Sequence, residues 1–174
     1  MASRRTFLKV GAGASLALAL GGGIYRATQA TRATAPLLPF ALDGEARAAL
    51  GAIAPALLAG VIPGVGPAAL ATVIDDVHRT ILALPLATQK DIQDLFGLLA
   101  MAPARRLLTG IAGPWRDASV EAVHTFLQDW RVSQFGMLRA GYAALHDLVL
   151  GAWYAAETSW DAIGYPGPPL VLAP

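Results

Sequence analysis

The sequence predicts an all-α protein: a small bundle of about five to six helices behind an N-terminal signal segment, ending in an irregular Gly/Pro-rich tail. Three observations carry this. Apolar residues recur at three- and four-residue spacing from Asp43 to Tyr154, the period of a helix with one inward face. No alternating apolar/polar run competes with that pattern. Proline and glycine fall between the periodic stretches, where helices start and stop. The boundaries that follow are a signal segment over 1–30, a linker over 31–42 and a helical domain over 43–174.

The first segment is Ser3-Arg4-Arg5-Thr6-Phe7-Leu8-Lys9 followed by the apolar run Val10 to Leu20. A basic region leading directly into an apolar one is an export signal and not part of a fold. The adjacent Arg4 and Arg5, with Ser3, Phe7, Leu8 and Lys9 in place, make it a twin-arginine (Tat) signal, an address that the Tat translocase reads. Val10 to Ile24 spans 15 residues and includes five glycines, short of the ~20 residues a membrane-spanning helix needs. An uncleaved signal acting as a tether is the alternative to cleavage, since tilt and bilayer thinning accommodate short segments. Ala27-Thr28-Gln29-Ala30 and Ala33-Thr34-Ala35 both offer the small residues of a cleavage site. The expected location is therefore the periplasm, with membrane contact only through the signal. The Tat route carries proteins already folded, often with a cofactor in place.

The linker, with Pro36 and Pro39, has no periodicity and predicts an extended lead-in. Asp43 has the side chain of an N-cap, and the first helix runs through Ala46, Leu50, Ile53 and Leu57. Pro55 within it predicts a bend or an early end. After a Gly/Pro turn, the second helix begins at Pro67 and follows Leu70, Val73, Ile74, Val77, Ile81 and Leu84 until Pro85. Thr88 is the predicted cap of the third helix, with Asp91 in a capping-box position and Ile92, Leu95, Phe96 and Leu99 facing inward. A short helix over Ala104–Leu108 ends at glycines. Ser119 is the predicted cap of a helix along Val120, Val123, Phe126, Leu127 and Trp130. Ser133 is the predicted cap of the longest helix, along Phe135, Leu138, Tyr142, Leu145 and Val149 to about Tyr154.

Composition narrows the function. The chain is 55% hydrophobic and 14% charged, against roughly 25% charged in soluble domains generally. That balance favours lipid contact or a partner covering a large surface. With Arg4, Arg5, Lys9 and Arg26 in the signal segment, nine basic residues face 12 acidic ones, a net charge of −3. A nucleic-acid protein needs a basic stripe, and none is present. Cysteine is absent, which excludes disulfides, thiolate metal sites, covalent c-type haem and cysteine-held iron–sulfur clusters in this chain.

Candidate chemistry is sparse. Gly64-Val65-Gly66-Pro67-Ala68-Ala69 matches the dinucleotide fingerprint as a string but lacks the flanking strand that gives the motif its meaning, so it is a glycine-rich helix start. His78, His124 and His146 are too far apart for a ligand motif. Asp75 and His78 lie one helical turn apart, within the polar face that Asp76 and Arg79 continue. His146 and Asp147 are consecutive and are expected to point apart. Asp129 and Asp147 are the two carboxylates available for acid–base work, with nothing in their spacing to single them out.

The aromatic residues are more informative. Trp115, Trp130, Trp153 and Trp160 all fall between 115 and 160, with Tyr142, Tyr154 and Tyr165 among or beside them. Trp153 and Tyr154 are neighbours near a helix end and cannot both face inward, and Trp160, Tyr165 and Pro166 belong to the tail. Aromatic anchors outside regular elements suit a protein–protein hot spot, so Trp153, Tyr154, Trp160, Tyr165 and Pro166 form the expected partner-docking segment. Packing of the tail on the chain's own core is the competing expectation.

Gly151-Ala152-Trp153-Tyr154, Ser159-Trp160 and Ile163-Gly164-Tyr165-Pro166-Gly167-Pro168-Pro169 resemble the C-terminal signature of the gluconate 2-dehydrogenase subunit 3-like family. The twin-arginine start, Ile62-Pro63-Gly64 and the segment Phe126-Leu127, Trp130-Arg131 and Ser133 extend the resemblance over most of the chain. The resemblance implies a non-catalytic small subunit of a flavin-dependent dehydrogenase of the glucose–methanol–choline (GMC) type. Its large partner holds FAD and the sugar or alcohol site, and a cytochrome c subunit accepts the electrons. The small subunit holds no cofactor, no metal and no catalytic residue, and supplies the signal that exports the folded, flavin-loaded partner. A stand-alone periplasmic helical ligand- or lipid-binding protein is the alternative; it accounts for the hydrophobicity but not for the use of Tat.

Overall fold

The structure, a computed structural model, describes residues 37–59, 66–157, 159–160 and 164–166. The signal residues Ser3 to Lys9, both candidate cleavage sites and most of the Pro-rich end of the tail lie outside the described residues. Six α-helices and a 3₁₀ turn follow in order, with no strand among the described residues: α1 (Gly44–Leu58), α2 (Pro67–Leu82), α3 (Leu86–Ala100), α4 (Ala102–Thr109), the 3₁₀ turn Trp115–Asp117, α5 (Val120–Arg131) and α6 (Gly136–Ala155). The predicted all-α class holds.

Helix α1 is the centre of the bundle. It packs against α2, α3, α5, α6 and the 3₁₀ turn, so its buried residues, Ala46, Leu50, Ile53, Ala54 and Leu58 among them, surround the axis instead of forming one stripe. Asp43 caps it as predicted, accepting the Ala46 N–H at 2.8 Å. Pro55 does not end it; the helix continues three residues to Leu58. A proline inside a helix costs about 3 kcal/mol. Fully burying Leu50, Ile53 and Leu58 contributes roughly 1.5–3 kcal/mol for each, so tertiary packing outweighs the local cost.

The end of the linker, residues 37–42, is tied to the bundle. Phe40 is buried against Phe96 and against the His78 ring, with centroids 5.8 and 5.9 Å away. Its N–H donates to Gln89 Oε1 at 2.9 Å, and the Ala41 N–H donates to Gln93 Oε1 at 2.9 Å. Gln89, itself buried, also donates through Nε2 to the carbonyls of Leu82 and Leu84, at 3.1 and 2.8 Å. One side chain thus ties the lead-in, the end of α2 and the start of α3. This arrangement corrects the expected cap at Thr88. Helix α3 starts at Leu86, with Pro85 in the cap position and no side-chain cap bond, because the Gln89 network fixes the preceding turn upstream of Thr88.

The last turn of α3 is held in a comparable way. Trp115 Nε1 donates to the Leu99 carbonyl at 2.9 Å, and the buried Arg105 donates through Nη1 to Leu99 and Ala100 at 3.4 and 3.2 Å. A cation at a helix C-terminus also meets the negative end of its dipole. Helix α4 ends at Gly110, whose φ of 74° is the left-handed conformation that glycine adopts without strain.

Ser119 caps α5 as predicted, accepting the Ala122 N–H at 3.2 Å. Trp115, Phe126 and Trp130 form an edge-to-face series with centroids 5.9 and 5.5 Å apart. The Trp130 N–H reaches the Leu108 carbonyl at 2.7 Å. Ser133 does not cap α6. Its hydroxyl accepts the Phe135 N–H at 3.1 Å, while Phe135 occupies the cap position. Standing before the helix, Phe135 is off the inner stripe and 61% exposed. The stripe itself is Leu145, Leu148, Val149, Ala152 and Trp153.

Candidate docking surfaces

The expected docking segment divides in two. Trp153 belongs to the core at 9% exposure, while Tyr154, its neighbour on the last turn of α6, is 44% exposed. The two rings point apart, as a 100° step per helical residue requires. Within this chain Trp153 is therefore a core ring, and the surface part of the segment is Tyr154, Trp160, Tyr165 and Pro166. Trp160 is half-buried and Tyr165 is 44% exposed. Their rings meet edge to face with centroids 5.3 Å apart. Gly164, at φ 68°, turns the chain so that the Tyr165 N–H donates to the Trp160 carbonyl at 2.9 Å. The Trp160 indole N–H donates to the Tyr154 carbonyl at 3.2 Å. The tail thus folds back onto the end of α6 and keeps aromatic faces at the surface.

The titratable residues form no comparable centre. Asp75 pairs with Arg47 at 3.0 Å, and Asp76 with Arg79. His78 turns instead to the Phe40 ring, so the Asp75–His78 pairing does not form. His146 and Asp147 do meet, contrary to expectation: Nδ1 lies 2.9 Å from Oδ1, because rotation about the side-chain bonds overcomes the angle between consecutive helix positions. His124 is exposed on α5. Among the described residues no three His, Cys, Asp or Glu side chains are grouped as metal ligands. Gly66 and Pro67 of the glycine-rich string form the cap and first residue of α2, with no strand in the described residues to make a nucleotide fold. No helix among the described residues is long and apolar enough to cross a membrane.

Sequence reasoning missed a second surface. Helices α3 and α6 both lean on α1, and between them lies an apolar groove of about 670 Å³. One wall is Thr88, Asp91, Ile92, Leu95 and Leu98 of α3; the other is Met137, Ala140, Gly141, Ala144 and Leu148 of α6, with Thr80 and Leu84 at the margin. The spacing within each wall is three or four residues, a continuous stripe along each helix. The detectable signal was the second apolar row of α6, Met137-Ala140-Gly141-Ala144, beside the inner one. Small residues there fit equally well with close helix packing inside the bundle, which concealed their role. Comparison with protein-family models, with curated proteins and with solved structures found no match to this chain.

Proposed function

We propose that the chain is a non-catalytic small subunit that provides Tat export and assembly for a periplasmic FAD-dependent dehydrogenase of the GMC type. The observation that carries this reading is the coincidence of a complete twin-arginine motif at residues 3–9 with the Ala152-Trp153-Tyr154 and Gly164-Tyr165-Pro166-Gly167-Pro168 segments at the other end of the chain. The surface-facing aromatic groups of Tyr154, Trp160 and Tyr165 support it, since amphipathic rings on a stiff, proline-flanked tail bind a protein partner at low entropic cost. FAD belongs to the large partner, electrons leave through a cytochrome c subunit, and this chain contributes address and docking. The test is to purify the chain from its native periplasm through a C-terminal affinity tag. A large protein carrying about one flavin per complex is the expected companion; recovery of the chain alone from gently lysed cells contradicts the reading.

A stand-alone periplasmic ligand- or lipid-binding domain is the second reading, favoured by the apolar groove between α3 and α6. Size-exclusion chromatography of the chain expressed alone separates the two. An obligate subunit aggregates without its partner, whereas a binding domain elutes as a stable monomer.

A further inference from the structure

We infer, independently of the subunit reading, that the groove between α3 and α6 is a docking site for one amphipathic helix of a partner protein, apolar on one face and flanked by lysine or arginine. The shape argues for a helix. The two walls are themselves helices, and Met137 to Leu148 covers about three helical turns. Ala140, Gly141 and Ala144 place almost no side chain on the α6 wall, so an incoming backbone can come close, as small residues allow between packed helices. Leu95, Leu98 and Met137 supply large side chains around that shallow floor, and Met137 is 69% exposed. A thioether chain adapts to varied apolar partners.

Charge selects among occupants. The ionic groups lining the groove are all carboxylates: Asp91 and Asp94 on α3 and Asp147 on α6. Asp94 accepts from Lys90 at 2.8 Å and Asp147 from His146 at 2.9 Å, while Asp91 has no ion-pair partner among the described residues. The other nearby cations are committed away from the groove: Arg79 to Asp76, and Arg139 through Nη1 to the Ser133 carbonyl at 2.6 Å. A fatty acid or anionic phospholipid would bring its headgroup to a rim of three carboxylates whose one lysine, Lys90, is already paired with Asp94. A helix with basic flanks gains attraction at both walls, Asp91 on one and Asp147 on the other.

The test selects binders to the full-length chain from a displayed library of helices about 18 residues long, random in apolar face and flanking charge. The expected winners are apolar at i, i+3, i+4 and i+7 with net positive flanks. Their affinity falls at least roughly tenfold in Ala144→Arg, which fills the floor of the groove. Asp91→Asn with Asp147→Asn keeps the groove open and is expected to erase the preference for basic over acidic flanks while apolar binding persists. That second variant guards against misfolding of the first, whose circular dichroism and melting are recorded alongside. Winners that are acidic, or indifferent to both variants, overturn the proposal. Displacement of the winning helix by dodecanoic acid at stoichiometric concentration assigns the groove to lipid instead. Concentration-dependent dimerisation that Ala144→Arg abolishes assigns it to a second copy of this chain. Either outcome overturns the helix.

Discussion

Gln89 accepts the backbone N–H of Phe40 across 49 residues of sequence, at 2.9 Å and out of contact with water. The same amide donates to the Leu82 and Leu84 carbonyls, so all three groups depend on one side chain. Replacing Gln89 with leucine keeps the bulk and removes every partner. Leaving buried backbone groups unsatisfied is expected to cost about 2–4 kcal/mol in urea unfolding. A change below about 0.5 kcal/mol would mean that the lead-in contributes nothing to the fold.

The approach of α5 to α6 depends on Gly141. A Cβ there would sit 2.7 Å from Trp130 Cζ3, and the Trp130 ring cannot retreat without losing its bond to the Leu108 carbonyl. Gly141→Ala is expected to destabilise by about 1–3 kcal/mol through overpacking. Gly151, on the same helix, meets nothing within 4 Å, and Gly151→Ala is expected to stabilise by roughly 0.5–1 kcal/mol. Paired denaturation curves check the opposite signs.

The two glycines show what was legible in the sequence. Periodicity revealed the helices, the inner stripes of α2 and α3, that of α5 from Val123 onward, and the caps at Asp43 and Ser119, because these depend on residues within one or two turns; Val120, expected on the α5 stripe, is 49% exposed at the first turn. Thr88 failed as a cap because Gln89 is drawn to a distant partner, the Phe40 N–H 49 residues away, and Ser133 failed because its hydroxyl takes the Phe135 N–H, which leaves Phe135 in the cap position. Phe40 entered the core from a segment with no period of its own. The groove was ambiguous for a related reason: Leu95 and Ala144 suit packing inside the bundle as well as a surface, until the fold places their two helices apart. At the tail, the divergence of Trp153 and Tyr154 followed from helix geometry, but which ring turns inward did not.

In the tail, surface and core roles separate by measurement. Trp160→Ala with Tyr165→Ala removes two partly exposed rings that, among the described residues, meet each other and the end of α6. The double variant should leave the melting temperature of the isolated chain nearly unchanged. Loss of two interface anchors at about 2 kcal/mol each should weaken the proposed complex with the flavoprotein by roughly a thousandfold. Trp153→Ala should instead cost about 3–5 kcal/mol of stability, as loss of a buried ring does. Normal partner binding by the double variant, or a loss fully explained by unfolding, removes the docking role from the tail.

Separation of the purified complex into its subunits should leave all flavin absorbance with the large chain. An absorbance spectrum and metal analysis of the separated small chain are expected to show neither flavin nor haem nor stoichiometric metal. Flavin or zinc at about one per chain would contradict the non-catalytic reading.

The proposed export role is tested most directly by Arg4→Lys with Arg5→Lys, which keeps the charge of the segment and removes the arginine pair on which the Tat reading rests. Cells carrying the double variant are fractionated, and the large flavoprotein is followed by immunoblot and by flavin-dependent dye reduction. The account predicts that both chains stay in the cytoplasm, the partner folded and loaded with FAD. A partner that still reaches the periplasm at the wild-type level would contradict it.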